Sequence, residues 1–221
     1  MVISYMRRFL FVHVYKVAGM SVEKALKPFD VRSGLAGRAP AEQQSLLTSL
    51  GFNPAILDMQ RHTLAPEIRD ALGADMFAKL FKFAFVRNPW DLQLSLYHFN
   101  LKEPQFAGDQ ATLTAGSFET YIMSKTPERR PVGQQKRFVV DRDGTSLMDF
   151  VGRFETLEAD FAQVCERLNI RGLTLDHVNR TDHKSWQESY TRRMFEIVRA
   201  IHAPDIEYFG YADDPAAYGL A

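Results

Sequence analysis

The sequence lacks the features that mark several classes of protein. Cys165 is the only cysteine, so the chain can form neither an intrachain disulfide nor a cysteine-based zinc cluster. Its 27 basic and 27 acidic side chains leave no net charge, which argues against broad nucleic-acid binding because such domains are usually basic. No apolar run approaches the roughly 18 residues that a membrane-spanning helix needs. Any anion-binding site must therefore be a local concentration of donors.

The N-terminal region predicts a first strand rather than a targeting signal. Arg7 and Arg8 precede an apolar run at 9–14, which superficially resembles a signal peptide. The run is short, contains His13, meets Lys16 and is followed by no small-residue cleavage pattern. Since a single cysteine also suits a reducing compartment, we expect a cytoplasmic protein.

Two strand–turn–helix units predict an α/β fold. The runs FLFVHV (9–14) and FKFAFV (81–86) are apolar without alternation, as expected for strands buried on both faces of a parallel sheet. Asn88 and Pro89 then suit the N-cap and first turn of a helix. The length of 221 residues suits one domain, 1–221, with a central parallel sheet flanked by helices. Ligands of such sheets bind at the carboxyl ends of the strands.

Apolar spacing and turn residues predict the remaining elements. Short helices are expected in three segments: 41–50, 66–72 and 118–123. The runs 138–140 and 147–154 flank the turn-rich DRDGTS and predict a β-hairpin. Thr156 can cap the next helix, and one last helix is expected to carry an apolar face from Trp186 to Ile201.

The two turns resemble the nucleotide-binding loops of sulfotransferases that use 3′-phosphoadenosine 5′-phosphosulfate (PAPS). The segment FVHVYKVAGMS (11–21) is similar to their 5′-phosphosulfate loop, where a strand runs into a lysine, a glycine and hydroxyl residues. The segment FAFVRNPWDLQLSLY (83–97) is similar to their 3′-phosphate motif, with an arginine after the strand and a serine two helical turns onward. The carbohydrate-type, family 2-like branch with its many bacterial members also shows the features of VGRFETLEADF, HVNRTDHKSW and DIEYFGY. The resemblance spans Phe9 to Tyr211.

The resemblance implies a fold similar to that of P-loop nucleoside kinases, with two anion-binding cradles for PAPS. In the first cradle, Lys16 would hold the bridging oxygen of the phosphosulfate, and backbone N–H groups at a helix start favour its negative charge. In the second, Arg87 offers a planar fork to the 3′-phosphate and Ser95 adds a hydroxyl. Lys184 or Arg180, in a polar loop, could reach the same phosphate. The residues predicted to bind the donor are Lys16, Ala18, Gly19, Met20, Ser21, Arg87, Ser95 and Lys184.

The first loop departs from the family pattern at three positions. Tyr15 stands where proline is usual, and Val17 and Met20 stand where threonines are usual. A missing hydroxyl at Met20 would remove a phosphate contact worth about 0.5–1.5 kcal/mol. A non-catalytic sulfotransferase-like module that binds nucleotide or glycan therefore stays open as the alternative. A P-loop kinase is disfavoured, because its lysine would follow the glycines whereas Lys16 precedes Gly19.

The acceptor hydroxyl needs a general base, and the resemblance points to His62 in MQRHTLAPEIRDALG as the first choice. Glu23 is a weaker alternative, and His13 is expected to be a packed core residue. The predicted catalytic residues are therefore Lys16 and His62, acting without a metal on a carbohydrate-like or other hydroxyl acceptor. The basic stretch 129–137 is either a grip for an anionic acceptor or an exposed loop.

Overall fold

The computed structural model describes residues 1–106, 116–126, 133–176 and 185–220. The chain divides into two compact units. The first consists of Met1–Val86 and Arg137–Asn179, and the second of Arg87–Lys136 and Arg180–Ala221. The single domain expected over the whole chain stays a prediction.

The described residues of the first unit contain a four-stranded sheet with the order β1-β2-β3-β4. Its strands are β1 (Val2–Ser4), β2 (Phe9–Val12), β3 (Phe81–Val86) and β4 (Phe150–Arg153). β2, β3 and β4 run parallel, whereas β1 pairs antiparallel with β2. The structure thus confirms an α/β chain with a mostly parallel sheet, and it adds the antiparallel edge strand that the sequence did not predict.

Nine α-helices lie in the described residues, and we number them in chain order. They are α1 (Gly19–Leu26), α2 (Pro40–Ser49), α3 (Ala65–Leu72), α4 (Ala74–Ala78), α5 (Pro89–Lys102), α6 (Phe118–Met123), α7 (Leu157–Arg167), α8 (Arg192–Ile201) and α9 (Ala203–Phe209). The first unit contains α1–α4 and α7, and the second contains the other four. Within the described residues, no helix has both the length and the apolar character that crossing a bilayer requires.

The central strands form where the sequence is apolar without alternation. β3 has the predicted bounds, and β2 ends at Val12, two residues before the predicted end. The rings of Phe11 and Phe83 lie 5.3 Å apart between the two strands, and both side chains are fully buried. Burial on both faces explains why these runs are apolar apart from Lys82 near the start of β3 and His13 after the end of β2.

The predicted hairpin forms only next to its turn, because the rest of its second run joins the main sheet. An antiparallel bridge joins Val140 and Ser146 and two further backbone hydrogen bonds cross the same turn, while β4 pairs in parallel with β3. Polar contacts at the strand starts set this register. The Asp149 N–H donates to the Lys82 carbonyl over 2.8 Å, and the Lys82 N–H donates to the Asp149 carboxylate over 2.7 Å.

The last helix was predicted to be continuous, but the structure divides it into two elements. A short 3₁₀ turn covers Trp186–Ser189, and Tyr190 is extended with φ −109° and ψ 134°. α8 starts only after Thr191, whose hydroxyl accepts a hydrogen bond from the Met194 N–H over 3.3 Å. An N-cap residue inside the apolar pattern therefore divides it into two elements.

The second unit is built around the start of α5. The Asn88 side chain accepts from the Trp90 N–H over 3.0 Å and Pro89 follows it, which confirms the predicted N-cap and first turn. Trp90 is fully buried, and its ring stacks on Phe195 of α8 with centroids 4.2 Å apart. The Trp90 indole N–H also donates to the Phe195 carbonyl over 3.1 Å. This packing fixes the helix start that directly follows Arg87.

We predict that Gly152→Ala destabilises the first unit by about 1–3 kcal/mol, because an added Cβ overpacks the β3–β4 contact. That Cβ would lie 2.5 Å from Phe85 Cε1 and 3.0 Å from Asp160 Cβ. The measurement is the free energy of unfolding in urea. Gly34→Ala is the control, since no atom lies within 4 Å of its added Cβ, and it should change stability by less than about 0.5 kcal/mol. Equal losses in the two variants would contradict the packing argument.

Candidate active site

The loop between β2 and α1 has an unusual backbone. Lys16 and Ala18 have φ values of 58° and 57°, a region that side chains other than glycine rarely adopt. Each such residue costs of order 1–2 kcal/mol, so the surrounding packing must hold it. Val17 between them is fully buried and anchors the loop to the core. Turns of this kind can direct successive N–H groups toward an anion.

The loop runs directly into the N-terminus of α1. Its N-cap residue is Ala18, which provides no side-chain cap for the first-turn amides. The Ala18 carbonyl accepts from the Ser21 and Val22 N–H groups over 2.9 and 3.3 Å. Met20 is 54% exposed, whereas Gly19 and Ser21 are buried. The helix start therefore combines its positive dipole end with an uncapped first turn.

Gly19 is required by the packing of His13. A Cβ at position 19 would lie 2.1 Å from His13 Nε2 and Cδ2, which no real structure could accommodate without moving the ring. His13 is 3% exposed, which confirms the prediction that it is a packed core residue. Its imidazole thus lies directly against the backbone at the start of α1.

Glu23 of α1 is an ion-pair centre rather than a proton acceptor. Its carboxylate lies 3.0 Å from His13 Nδ1, without the alignment of a hydrogen bond, and 3.0 Å from Arg61 Nε. The Met1 amino group also donates to it. Burial alone would raise the pKa of Glu23, but the contacts with His13 and the Met1 amino group outweigh it and lower the pKa to about 2. Such a weak base speaks against Glu23 as the general base.

The structure brings His62 beside the predicted phosphosulfate loop. His62 Nδ1 lies 2.9 Å from the His13 carbonyl oxygen, so Nδ1 carries the proton and donates it. The neutral ring consequently carries its lone pair on Nε2. The His62 ring stacks on Tyr15 with centroids 4.0 Å apart and meets the His13 ring edge-on at 4.6 Å. Tyr15 directly precedes Lys16, so the two predicted catalytic residues belong to one neighbourhood of the first unit.

Burial lowers the pKa of His62 to about 4, because desolvation disfavours the imidazolium and the nearby His13 and Arg61 add to the effect. The bond to the His13 carbonyl acts in the opposite direction but is weaker. His62 is therefore neutral at physiological pH. It can accept a proton at Nε2 when a bound anion stabilises the resulting charge.

The second unit holds Arg87 and Ser95 along one side of α5. Arg87 is 8% exposed, and its Nε donates to the Asp91 carboxylate over 2.7 Å. Ser95 is half-buried and lies one turn beyond Asp91 on the same helix face. The ion pair holds the guanidinium of Arg87 toward Asp91.

Sequence reasoning missed the residue that fixes the backbone of Arg87. The Arg87 N–H donates to Gln135 Oε1 over 2.8 Å, and Gln135 Nε2 donates to the Arg87 carbonyl over 2.7 Å. Gln135 is fully buried. A lone glutamine 48 residues away carries no periodic or motif signal, so nothing in the sequence pattern selects it.

Several predicted positions lie outside the described residues. They are Lys184, Arg180 and the part of the basic stretch at 129–132. Among the residues that the structure does describe, no three His, Cys, Asp or Glu side chains come together as a possible metal site.

A model of the sulfotransferase family matches residues 1–212. Because the match covers nearly the whole chain, the chain belongs to the sulfotransferase family, as the two loop patterns predicted. The chain matches no curated protein and no solved structure.

Proposed function

We propose that the chain transfers a sulfuryl group from PAPS to a hydroxyl of a carbohydrate-like acceptor. Membership of the sulfotransferase family supports sulfuryl transfer in general. The finer proposal is carried by one observation: His62, held by the His13 carbonyl at 2.9 Å, stacks on the residue next to Lys16. A proton acceptor and a cation beside an anion-binding turn are the groups that this reaction requires.

In the proposed reaction, the acceptor oxygen attacks the sulfur of PAPS and forms a new S–O bond. The bond from sulfur to the bridging oxygen breaks, and 3′-phosphoadenosine 5′-phosphate (PAP) leaves with the electron pair. His62 Nε2 takes the proton of the acceptor hydroxyl. The Lys16 ammonium stabilises the charge that develops on the bridging oxygen. As in phosphoryl transfer, the protein contributes mainly positioning and charge stabilisation.

In the first cradle, the phosphosulfate is proposed to meet the backbone from Lys16 to Ser21. The left-handed residues Lys16 and Ala18 and the uncapped start of α1 support this assignment. In the second, Arg87 and Ser95 are proposed to bind the 3′-phosphate. The Asp91 carboxylate holds the Arg87 guanidinium and also offsets part of its positive charge. Arg87 alone therefore need not account for the whole affinity for the 3′-phosphate.

The two replaced threonines have different consequences. Val17 is fully buried, so its side chain serves the core and not the ligand. Met20 is 54% exposed at the cradle itself, so the missing hydroxyl there bears on donor affinity. The alternative function, a module that binds nucleotide or glycan without turnover, rests on this replacement. The carbohydrate-like acceptor and a cytoplasmic location are proposed from the resemblance and the single cysteine, Cys165.

We predict that Lys16→Ala lowers kcat by about two or more orders of magnitude, because charge on the leaving oxygen loses its partner. The measurement is steady-state transfer of labelled sulfate from PAPS to a hydroxyl acceptor. Lys24→Ala is the control, since Lys24 is an exposed residue of α1 that pairs with Asp176 at 2.6 Å. Equal rates for Lys16→Ala and the wild type would remove Lys16 from the mechanism.

We predict that kcat/KM falls as the pH drops through about 4, since His62 must be neutral to accept the proton and its pKa is about 4. His62→Gln should lower kcat/KM by about 10²–10⁴-fold near pH 7 and remove this acidic limb. A pH–rate profile of the two proteins tests the assignment. An acidic limb that persists in His62→Gln would assign the titration to another group.

Calorimetric binding of PAP and of adenosine 5′-phosphate (AMP) tests the donor and the second cradle. The two ligands differ by the 3′-phosphate, so Arg87→Ala should weaken PAP binding by about 10–100-fold and AMP binding far less. Arg192→Ala, at an exposed arginine of the same unit, is the control and should bind both ligands as the wild type does. PAP binding without transfer to any acceptor would favour the non-catalytic module. No PAP binding by the wild type would contradict the proposed donor.

A further inference from the structure

The main chain of Arg87 is held by a single side chain in the second unit. Gln135 accepts from the Arg87 N–H and donates to the Arg87 carbonyl, over 2.8 and 2.7 Å. This is the pattern that a neighbouring strand would offer a residue of a ladder, here supplied by one side-chain amide. It fixes both backbone torsions of Arg87 directly after β3 ends. The direction of its side chain follows from those torsions.

Gln135 is itself held by Asp205 of α9. The Gln135 N–H lies 3.0 and 3.1 Å from the two carboxylate oxygens of Asp205, and the Lys136 N–H donates to Oδ1 over 2.8 Å. Both Gln135 and Asp205 are fully buried. Burial of a carboxylate is unfavourable in free energy unless hydrogen-bond donors surround it. The three N–H contacts to Asp205 meet this need and hold the Gln135 backbone in one position.

The contacts continue from Asp205 to the helix that carries Ser95. His202 Nδ1 donates to Asp205 Oδ2 over 2.9 Å, and its Nε2 lies 2.8 Å from Gln93 Nε2 on α5. The Tyr121 hydroxyl donates to Gln93 Oε1 over 3.1 Å. His202 and Gln93 are fully buried and Tyr121 is 1% exposed. Gln93 belongs to α5, so one polar network links the backbone of Arg87 to the helix that carries Ser95.

We infer that Gln135 is a positioning residue for the 3′-phosphate of the donor, acting through the backbone of Arg87. The inference rests on the proposed function, because it takes Arg87 to bind that phosphate. The side-chain amide sets where the Arg87 side chain starts, and Asp91 holds its Nε at 2.7 Å. Preorganisation of this kind lowers the cost of ordering the guanidinium when the phosphate binds.

The test compares PAP and AMP binding in Gln135→Met, which keeps the volume of the side chain but removes both hydrogen bonds. We expect the preference for PAP over AMP to fall by about 10-fold, because misplacing Arg87 affects only the ligand with the 3′-phosphate. In an Arg87→Ala background the same change should alter the preference by less than about threefold, since coupled residues are non-additive. Gln135→Glu, which keeps the acceptor for the Arg87 N–H, is the second variant if Gln135→Met does not fold.

Thr191→Ala is the control for a general loss of stability, because Thr191 caps α8 of the same unit through the Met194 N–H and is not a member of the Gln135–Asp205–His202–Gln93 network. It should lower the midpoint of urea unfolding as Gln135→Met does, while retaining the PAP preference of the wild type within about threefold. An unchanged preference in Gln135→Met, or equal losses in both variants, would overturn this inference alone. A wild type that does not prefer PAP over AMP would overturn the second cradle and this inference with it.

Discussion

The first unit depends on the placement of the His13 imidazole at the end of β2. Its ring fills the space above Gly19, its Nδ1 faces Glu23 at 3.0 Å, and its carbonyl oxygen holds His62. Each contact involves a different part of the site: the start of α1, the Glu23 carboxylate on the same helix, and the imidazole of the proposed base His62. A single buried residue thereby joins a strand, a helix and a distant loop, because a core side chain has one well-defined position.

The most local sequence signals led to the most accurate predictions. The bounds of β3 and α6 and the cap at Asn88 followed from apolar runs and capping chemistry, which are local. The parallel pairing of β4 and the break before α8 were not predicted. A parallel partner for β4 and a break at Thr191 depend on long-range pairing and on one cap inside an apolar pattern. Local periodicity does not report either feature.

The same distinction applies to the candidate site. Lys16, Arg87 and His62 were proposed from the sequence because they stand in segments that resemble family motifs, and their neighbours Tyr15 and Asp91 follow from position. Gln135 and Asp205 were not, since buried polar partners are chosen by three-dimensional complementarity and leave no spacing rule. Such networks are costly when incomplete and rigid when satisfied, which makes them suited to holding a residue that must meet a ligand.

The contact between Gly19 and His13 has a consequence for how this loop can change over evolution. Because a Cβ at position 19 would overlap the imidazole, the two positions are tied as a pair. A chain that replaces Gly19 must also have a smaller or displaced side chain at position 13. The carbonyl oxygen of that same residue bonds to His62, the proposed base. Substitution of Gly19 in the proposed anion-binding turn therefore requires a matching change at the end of the strand behind it. Gly19 and His13 are therefore expected to be substituted together.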